Sequence, residues 1–276
     1  MQRKPVYLLA LLFVLTTAVK SQDPVIRVST PEQIKAGFVK VPCENRDRLK
    51  AVRTLFEQAG ASSAEITIDQ YKSVENLVVT KRGESPEKIV VGAHYDKVAD
   101  GCGAVDNWTG IVVLAHLYHS IKDVSLRKTL VFVAFGKEES GLIGSSAMVK
   151  AMTEEQAAES CAMINIDSLG LAPPQVADNL SSKKLEQFTV DLAKEMKLQF
   201  AHASIQGAGA DSLPFLARKI PAVTIHGLNN QWPAILHSYR DQSSKVNPMS
   251  VYLGYRFALG VIARLDESPC AAYRER

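Results

Sequence analysis

No internal repeat, low-complexity tract or long linker interrupts the 276 residues, which excludes solenoid and tandem-array architectures. A composition of 46% hydrophobic and 22% charged residues likewise argues against large-scale disorder. The sequence also lacks an apolar run of the roughly 20 residues needed to span a bilayer. Its longest, Tyr7 to Val19, is preceded by Arg3 and Lys4, the pattern of a secretory signal peptide. Ser21 offers a small residue for cleavage, with Val19 tolerable two positions earlier. The expected division is a signal peptide over residues 1–21 and a single domain over 22–276, with no stable membrane insertion once the leader is removed. The expected location is secreted or extracellular, or a periplasmic or vesicular lumen. An uncleaved anchor is the competing reading.

Excess charge of one sign is missing too. The 32 Lys and Arg include Arg3, Lys4 and Lys20, so without the leader 29 basic residues face 29 acidic ones. Nothing in that balance points to nucleic acid as a partner. Cysteine is scarce, with four residues, Cys43, Cys102, Cys161 and Cys270, and no C-x-x-C spacing suggests a thiolate metal site. An even number in an oxidising compartment permits disulfides in any of three pairings. For Cys161, at the start of an apolar run, a buried free thiol is the alternative.

What is present is an alternation of apolar strands and amphipathic helices. Thr30-Pro31-Glu32-Gln33 combines an N-cap, a first-position proline and a capping-box partner, and predicts a helix start. A second helix is expected over Arg46–Gln58, then paired strands over Glu65–Tyr71 and Asn76–Lys81. Strands follow at Ile89–Ala93, Thr129–Phe135, Met163–Ile166 and Ala222–Ile225. Helices are expected at Gly110–Ile121, Ser145–Met152 and Lys183–Met196, with a last one after Asn247-Pro248. Strands this apolar, separated by helices, imply an α/β fold, doubly wound, with a mainly parallel central sheet covered by helices on both faces.

Ligands of such sheets bind beyond the carboxyl ends of the strands. His94 follows the strand ending at Ala93, Glu138 and Glu139 follow Phe135, Asp167 closes the strand through Ile166, and His237 lies beyond Ile225. Asp106 joins them from the loop before a helix. Each has a mundane reading taken singly: a structural histidine, a helix cap at Asp106-Asn107, a solvated turn at Glu138-Glu139. Their shared placement at one sheet edge argues for a site. Imidazole nitrogen with carboxylate oxygen suits zinc, where an all-oxygen shell would suit magnesium or calcium. Asp106, Glu139 and Asp167 bring three negative charges against four from two zinc ions, and a bridging hydroxide would close the balance. Paired catalytic metals sit about 3.5–4 Å apart, so one carboxylate has to bridge them, and Asp106 is assigned that place.

Five segments carry a resemblance to a known family. They are Gly92-Ala93-His94-Tyr95-Asp96, Asp106-Asn107-Trp108-Thr109-Gly110, Phe135 through Ser145, Ile164-Asn165-Ile166-Asp167, and His237-Ser238-Tyr239-Arg240-Asp241. In order and spacing the chain resembles the co-catalytic zinc aminopeptidases of metallopeptidase family twenty-eight, which also includes glutaminyl cyclases. The resemblance runs from about residue 70 to the C-terminus. It implies a zinc-exopeptidase (phosphorylase/hydrolase-like) architecture and two Zn2+ ions. His94 and Asp167 would hold one ion, Glu139 and His237 the other, and Asp106 both. Asp96 would hydrogen-bond the far nitrogen of His94, and Glu138, left uncoordinated beside Glu139, would act as general base on a metal-bridged water. The resemblance also implies a cis peptide at Asp106-Asn107. The family's Ser-Asp-His-x-x-Phe stretch reads Ala210-Asp211-Ser212-Leu213-Pro214-Phe215 here, so Asp211 is a candidate for lining the substrate site.

The implied activity is removal of N-terminal residues from peptides, since no insertion follows the glutamate pair. The runner-up is a glutaminyl-peptide cyclotransferase with a single zinc, which usually has a Trp where Leu236 stands. A carboxypeptidase or dipeptidase on the same fold, and a metal-free binding module, are further alternatives. Two N-glycosylation sequons occur, at Asn107 and Asn179. A glycan on Asn107 would obstruct the site, whereas Asn179 lies in a polar loop.

Overall fold

The computed structural model describes residues 26–274, so the expected signal peptide over 1–21 lies outside the described residues. The chain begins with α1 (Pro31–Gly37) and α2 (Asn45–Ala59), followed by β1 (Ile66–Tyr71) and β2 (Val74–Lys81). Thr30 closes the expected capping box, its hydroxyl accepting from Gln33 N while the Gln33 side chain accepts from Thr30 N. Then come β3 (Lys88–His94), α3 (Thr109–Ile121), β4 (Thr129–Phe135), α4 (Ile143–Ala151), α5 (Glu154–Glu159) and β5 (Ser160–Ile166). The remainder is β6 (Gln175–Ala177), α6 (Lys183–Glu195), β7 (Ala201–Ala203), α7 (Ser212–Ala217), β8 (Ala222–His226) and α8 (Pro248–Glu267). Asn247 caps α8 by accepting from Met249 N and Ser250 N.

One sheet of eight strands runs in the order β1-β2-β4-β3-β5-β8-β6-β7. Its centre, β4-β3-β5-β8, is parallel throughout. Antiparallel pairing enters on both sides, between β1, β2 and β4 and between β8 and β6. The central strands are buried on both faces, and their residues alternate between two cores. Ile89, Val91, Leu130, Phe132, Ala134, Ile164 and Ile166 face the larger core with α1, α2, α3 and α8. Val90, Val131, Val133, Phe135 and Met163 face a smaller one with Val149 of α4 and Phe215 of α7. Phe132 anchors the larger core between the rings of Phe56 and Tyr118, at 6.3 and 5.8 Å. Full burial of such a ring is worth about 1.5–3 kcal/mol.

The cysteines pair as Cys43–Cys102 and Cys161–Cys270, so Cys161 is not a free thiol. The first bridge straps the long β3–α3 loop, which carries Asp106, to the start of α2. Among the described residues no helix is long and apolar enough to cross a membrane.

Candidate metal centre

Parallel β4, β3, β5 and β8 lie side by side, so the residues leaving their carboxyl ends enter one space. His94 is the last residue of β3, Asp167 follows β5, Glu138 and Glu139 follow β4, and His237 follows β8. Asp106 enters from the β3–α3 loop. The structure gathers the other four expected donors around that aspartate. His94 Nε2 lies 3.1 Å from Asp106 Oδ1 and 3.6 Å from Asp167 Oδ1. His237 Nε2 lies 3.1 Å from Asp106 Oδ2 and 3.1 Å from Glu139 Oε2. Each oxygen of Asp106 thus serves one imidazole.

Backbone geometry at this edge is locally enforced. Gly103 has φ +54°, and a Cβ there would lie 2.6 Å from the Asp106 carbonyl oxygen. The Asp106–Asn107 peptide is cis. Asp241 accepts from Val105 N at 2.7 Å and from Asp106 N at 3.1 Å, fixing the backbone that carries the Asp106 side chain. Asn107 is fully buried: it donates to Ile166 O and accepts from Gly110 N and Ser168 N. It ties the Asp106 loop to the Asp167 loop and leaves no room for a glycan. Lys137, Leu142, Ser168 and His237 all have φ between +55° and +58°, a conformation uncommon outside glycine and often found at functional sites.

The Glu138-Glu139 turn is held from two sides. Buried Asn76 on β2 accepts from Gly136 N and donates to Gly144 O. Asp96 accepts from Glu138 N at 2.9 Å and Glu139 N at 3.2 Å. The expected contact of Asp96 with His94 is thus shared and long rather than absent. The Asp96 carboxylate stands 3.7 Å from His94 Nδ1, whose nearer partner is the Asp96 carbonyl at 3.2 Å. Two backbone amides claim the carboxylate first. Asp211 departs from expectation, because it is fully buried and absent from the cavity lining.

Whether these residues suit a metal follows from their proton inventory. A carbonyl can only accept, so the His94 Nδ1 contact with Asp96 O places the proton on Nδ1. Nε2 then turns a lone pair toward two carboxylate oxygens, and only a proton or a cation between them makes that arrangement favourable. Glu139 Oε1 is buried without a partner, a further donor in want of a cation. The residues fit zinc.

The electrostatics are those of crowded carboxylates. Burial pushes Glu138 up to about 9; His94 opposes the rise, while Asp167, Asp211 and Asp106 reinforce it. Burial disfavours a charged His94, but Glu138, Asp106, Asp167 and Asp96 outweigh it and hold its pKa well above the usual range. Contacts with Asp106 and Glu139 lift His237 to about 10. Burial raises Asp211 to about 7 and Asp241 to about 6.

Sequence reasoning missed Arg48, which is completely buried behind the centre. Its guanidinium donates to the carbonyls of Tyr95, Pro42, Cys102 and Gly103 and lies 5.1 Å over the Trp108 ring. The signal was available. Arg48 falls on the stripe Val52, Phe56, Ala59 that α2 buries, and a charge on such a stripe needs partners.

A cavity of about 280 Å3 opens over the cluster, lined by Leu142, Leu180, Ile205, Leu228, Trp232 and Leu236 beside Glu138 and the donors. A larger one, about 900 Å3, lies among α1, α2 and α3 on the other side of Trp108. It contains none of the gathered donors, so the smaller cavity is the one tied to chemistry.

Known proteins share this fold. The 276-residue chain is 30% identical over 149 residues to aminopeptidase YwaD of Bacillus subtilis, covering 51% of this chain and 33% of that protein. It therefore spans about a third of that relative's length. Among solved structures, a Bacillus subtilis zinc aminopeptidase superposes with TM-score 0.63 at 21% identity, covering 73% of this chain and 53% of that one. An Acidobacteriales bacterium glutaminyl cyclase superposes with TM-score 0.73 at 14% identity, covering 92% of this chain and 99% of the other. These likenesses establish the fold. The profile of peptidase family M28 matches residues 76–254, more than half of the chain and every gathered donor. The chain belongs to peptidase family M28.

Proposed function

We propose that this protein is a zinc-dependent aminopeptidase with two zinc ions, one on His94, Asp106 and Asp167, the other on His237, Asp106 and Glu139. The observation that carries the reading is the position of Asp106, one oxygen 3.1 Å from each imidazole. Zinc bound there would acidify a water molecule, polarise the scissile carbonyl and draw the Glu138 pKa down from about 9.

Glu138 is the general base. It lines the cavity, and the hydrogen bond from its own amide to Asp96 fixes its backbone. Its carboxylate accepts the proton of the attacking water and returns it to the leaving amine. Leu142, Ile205, Leu228 and Leu236 give the space an apolar wall beside the donors. At about 280 Å3 the cavity lies just below the usual span of ligand sites, roughly 300–1,000 Å3. It suits one end of a peptide better than a chain passing through. The two disulfides support a secreted or lumenal location.

The test is an activity screen on protein of known zinc content, using aminoacyl substrates with free and acetylated N-termini. Cleavage of the free amine alone, abolished by chelator, is expected. Equal cleavage of acetylated substrate would remove the aminopeptidase reading. The Trp232 ring in the cavity lining favours one alternative, single-zinc glutaminyl cyclisation, in which an aromatic wall would cover the substrate. An N-terminal glutaminyl peptide separates the two: hydrolysis releases free glutamine, whereas cyclisation expels ammonia and leaves the chain length unchanged.

A further inference from the structure

A second cluster of side chains of metal-ligating type stands outside the cavity lining. Asp178 opens the turn after β6, Glu186 stands in the first turn of α6, and His202 is the central residue of β7. His202 Nδ1 lies 3.0 Å from Asp178 Oδ1 and 3.9 Å from Glu186 Oε1. One donor atom from each of the three lies within 4.8 Å of the others. Tetrahedral zinc with bonds of about 2.0–2.1 Å keeps its donors about 3.3 Å apart, so small rotamer adjustments would close this triad on an ion. Its composition, one imidazole and two carboxylates, matches each half of the catalytic cluster.

Two features give such an ion a purpose. The carboxylates of Asp178 and Glu186 repel each other, and Glu186 is held above its ordinary pKa by burial and then by Asp178. Three-residue β7 is exposed at every position and pairs only with three-residue β6, so little packing holds it. The next residue after Asp178, Asn179, donates to Ile205 O at 3.1 Å and accepts from Ile205 N at 2.9 Å. Leu180 and Ile205 both line the cavity. A cation joining Asp178 to His202 would therefore fasten the wall segment 201–209 against the turn that supports it.

We propose that Asp178, Glu186 and His202 form a separate divalent-cation site of the zinc class, whose occupancy stiffens the cavity wall. Imidazole with carboxylate selects zinc-like ions over calcium or magnesium. Three protein donors at a half-exposed position leave room for water and set a weaker affinity than a buried centre. The proposal stands apart from the catalytic reading, because none of its residues belongs to the gathered donors.

Zinc titration of metal-stripped protein, followed by nitrogen NMR of the six histidines, tests it site by site. His94 and His237 report on the catalytic cluster and His202 on the new site. The expected result is a metal-bound shift of His202 Nδ1 below millimolar zinc, after the buried cluster has filled. In Asp178→Asn that transition should move to at least about tenfold higher zinc while His94 and His237 titrate as before. Hydrogen exchange across residues 201–209 should slow on loading in the wild type alone. Should Asp178→Asn misfold, His202→Ala serves in its place, and its zinc content should fall by one ion per chain. A His202 signal unmoved up to millimolar zinc, or a zinc count unchanged in His202→Ala, overturns the proposal.

Discussion

His94 and His202 each stand against two carboxylates, Asp106 and Asp167 in one region, Asp178 and Glu186 in the other. Contact distances are alike, 3.1 and 3.6 Å against 3.0 and 3.9 Å. The surroundings differ. The His94 side chain is 1% exposed and that of His202 is 54% exposed. The first rides on parallel strands packed on both faces, the second on a three-residue edge strand. Coulomb attraction at 4 Å is about four times stronger at an effective dielectric of 20 than in water, so burial turns the same groups into a stronger trap for a cation. Buried carboxylates without a counter-charge are also costly, which makes the inner cluster depend on its ion. The fold, more than the donor set, separates His94 from His202; His237, 58% exposed, stands between these limits, an open imidazole on the buried carboxylates of Asp106 and Glu139.

The largest test of that contrast removes Asp106, the proposed shared ligand. Asp106→Asn should abolish high-affinity binding of at least one zinc and reduce turnover to background, while leaving the His202 transition intact. Zinc analysis of the dialysed variant beside a peptidase assay checks it. Glu138→Gln should bind zinc normally yet lose about 10²–10⁴ in kcat, the usual share of a general base. Asp241→Asn touches no donor atom, but it weakens acceptors for Val105 N and Asp106 N. Zinc affinity should drop about 10–100-fold, as for other residues that orient metal ligands, and competition with a chromogenic chelator would measure it. His202→Ala should leave kcat within about twofold when zinc is limiting, because the outer triad touches no reacting group.

A half-buried histidine that contacts no carboxylate among the described residues supplies the opposite limit. His116 contacts the Ser29 hydroxyl at 2.9 Å, and burial pushes its pKa down to about 4, with His119 adding to the shift. The unfolded chain takes up this proton near pH 6.5, before the folded one can, so stability is present above that value and is lost as the pH falls toward 4. Between pH 7 and 5 the loss attributable to this group is about 2 kcal/mol. Urea unfolding should show it in the wild type and not in His116→Gln. An equal pH dependence in both proteins would refute the assignment.

The same contrast governs what could be read in the sequence. Thr129–Phe135 was bounded correctly, and β3, β5 and β8 within a few residues, because runs this apolar fit only strands buried on both faces. Those strands placed His94, Glu138, Glu139, Asp167 and His237 together. The outer edge was not legible. Gln175–Ala177 and Ala201–Ala203 are too short for periodicity, and they become strands only by pairing with each other and with β8. Helix α5 was overlooked although Thr153 and Gln156 form the same capping box as Thr30 and Gln33. The three-body geometry of Asp178, Glu186 and His202 has no linear signature. Asp96 and Asp211 were assigned places by resemblance: the Asp96 carboxylate stands 3.7 Å from the far nitrogen of His94 while also accepting from two backbone amides, and Asp211 is fully buried.

The most direct test of the central claim is anomalous X-ray scattering from zinc-loaded crystals, which locates each ion without reference to activity. Two peaks about 3.5–4 Å apart on either side of the Asp106 carboxylate, one beside His94 and one beside His237, are the predicted result. Zinc density that leaves Asp106 uncoordinated, or a single ion at saturating zinc, would contradict it.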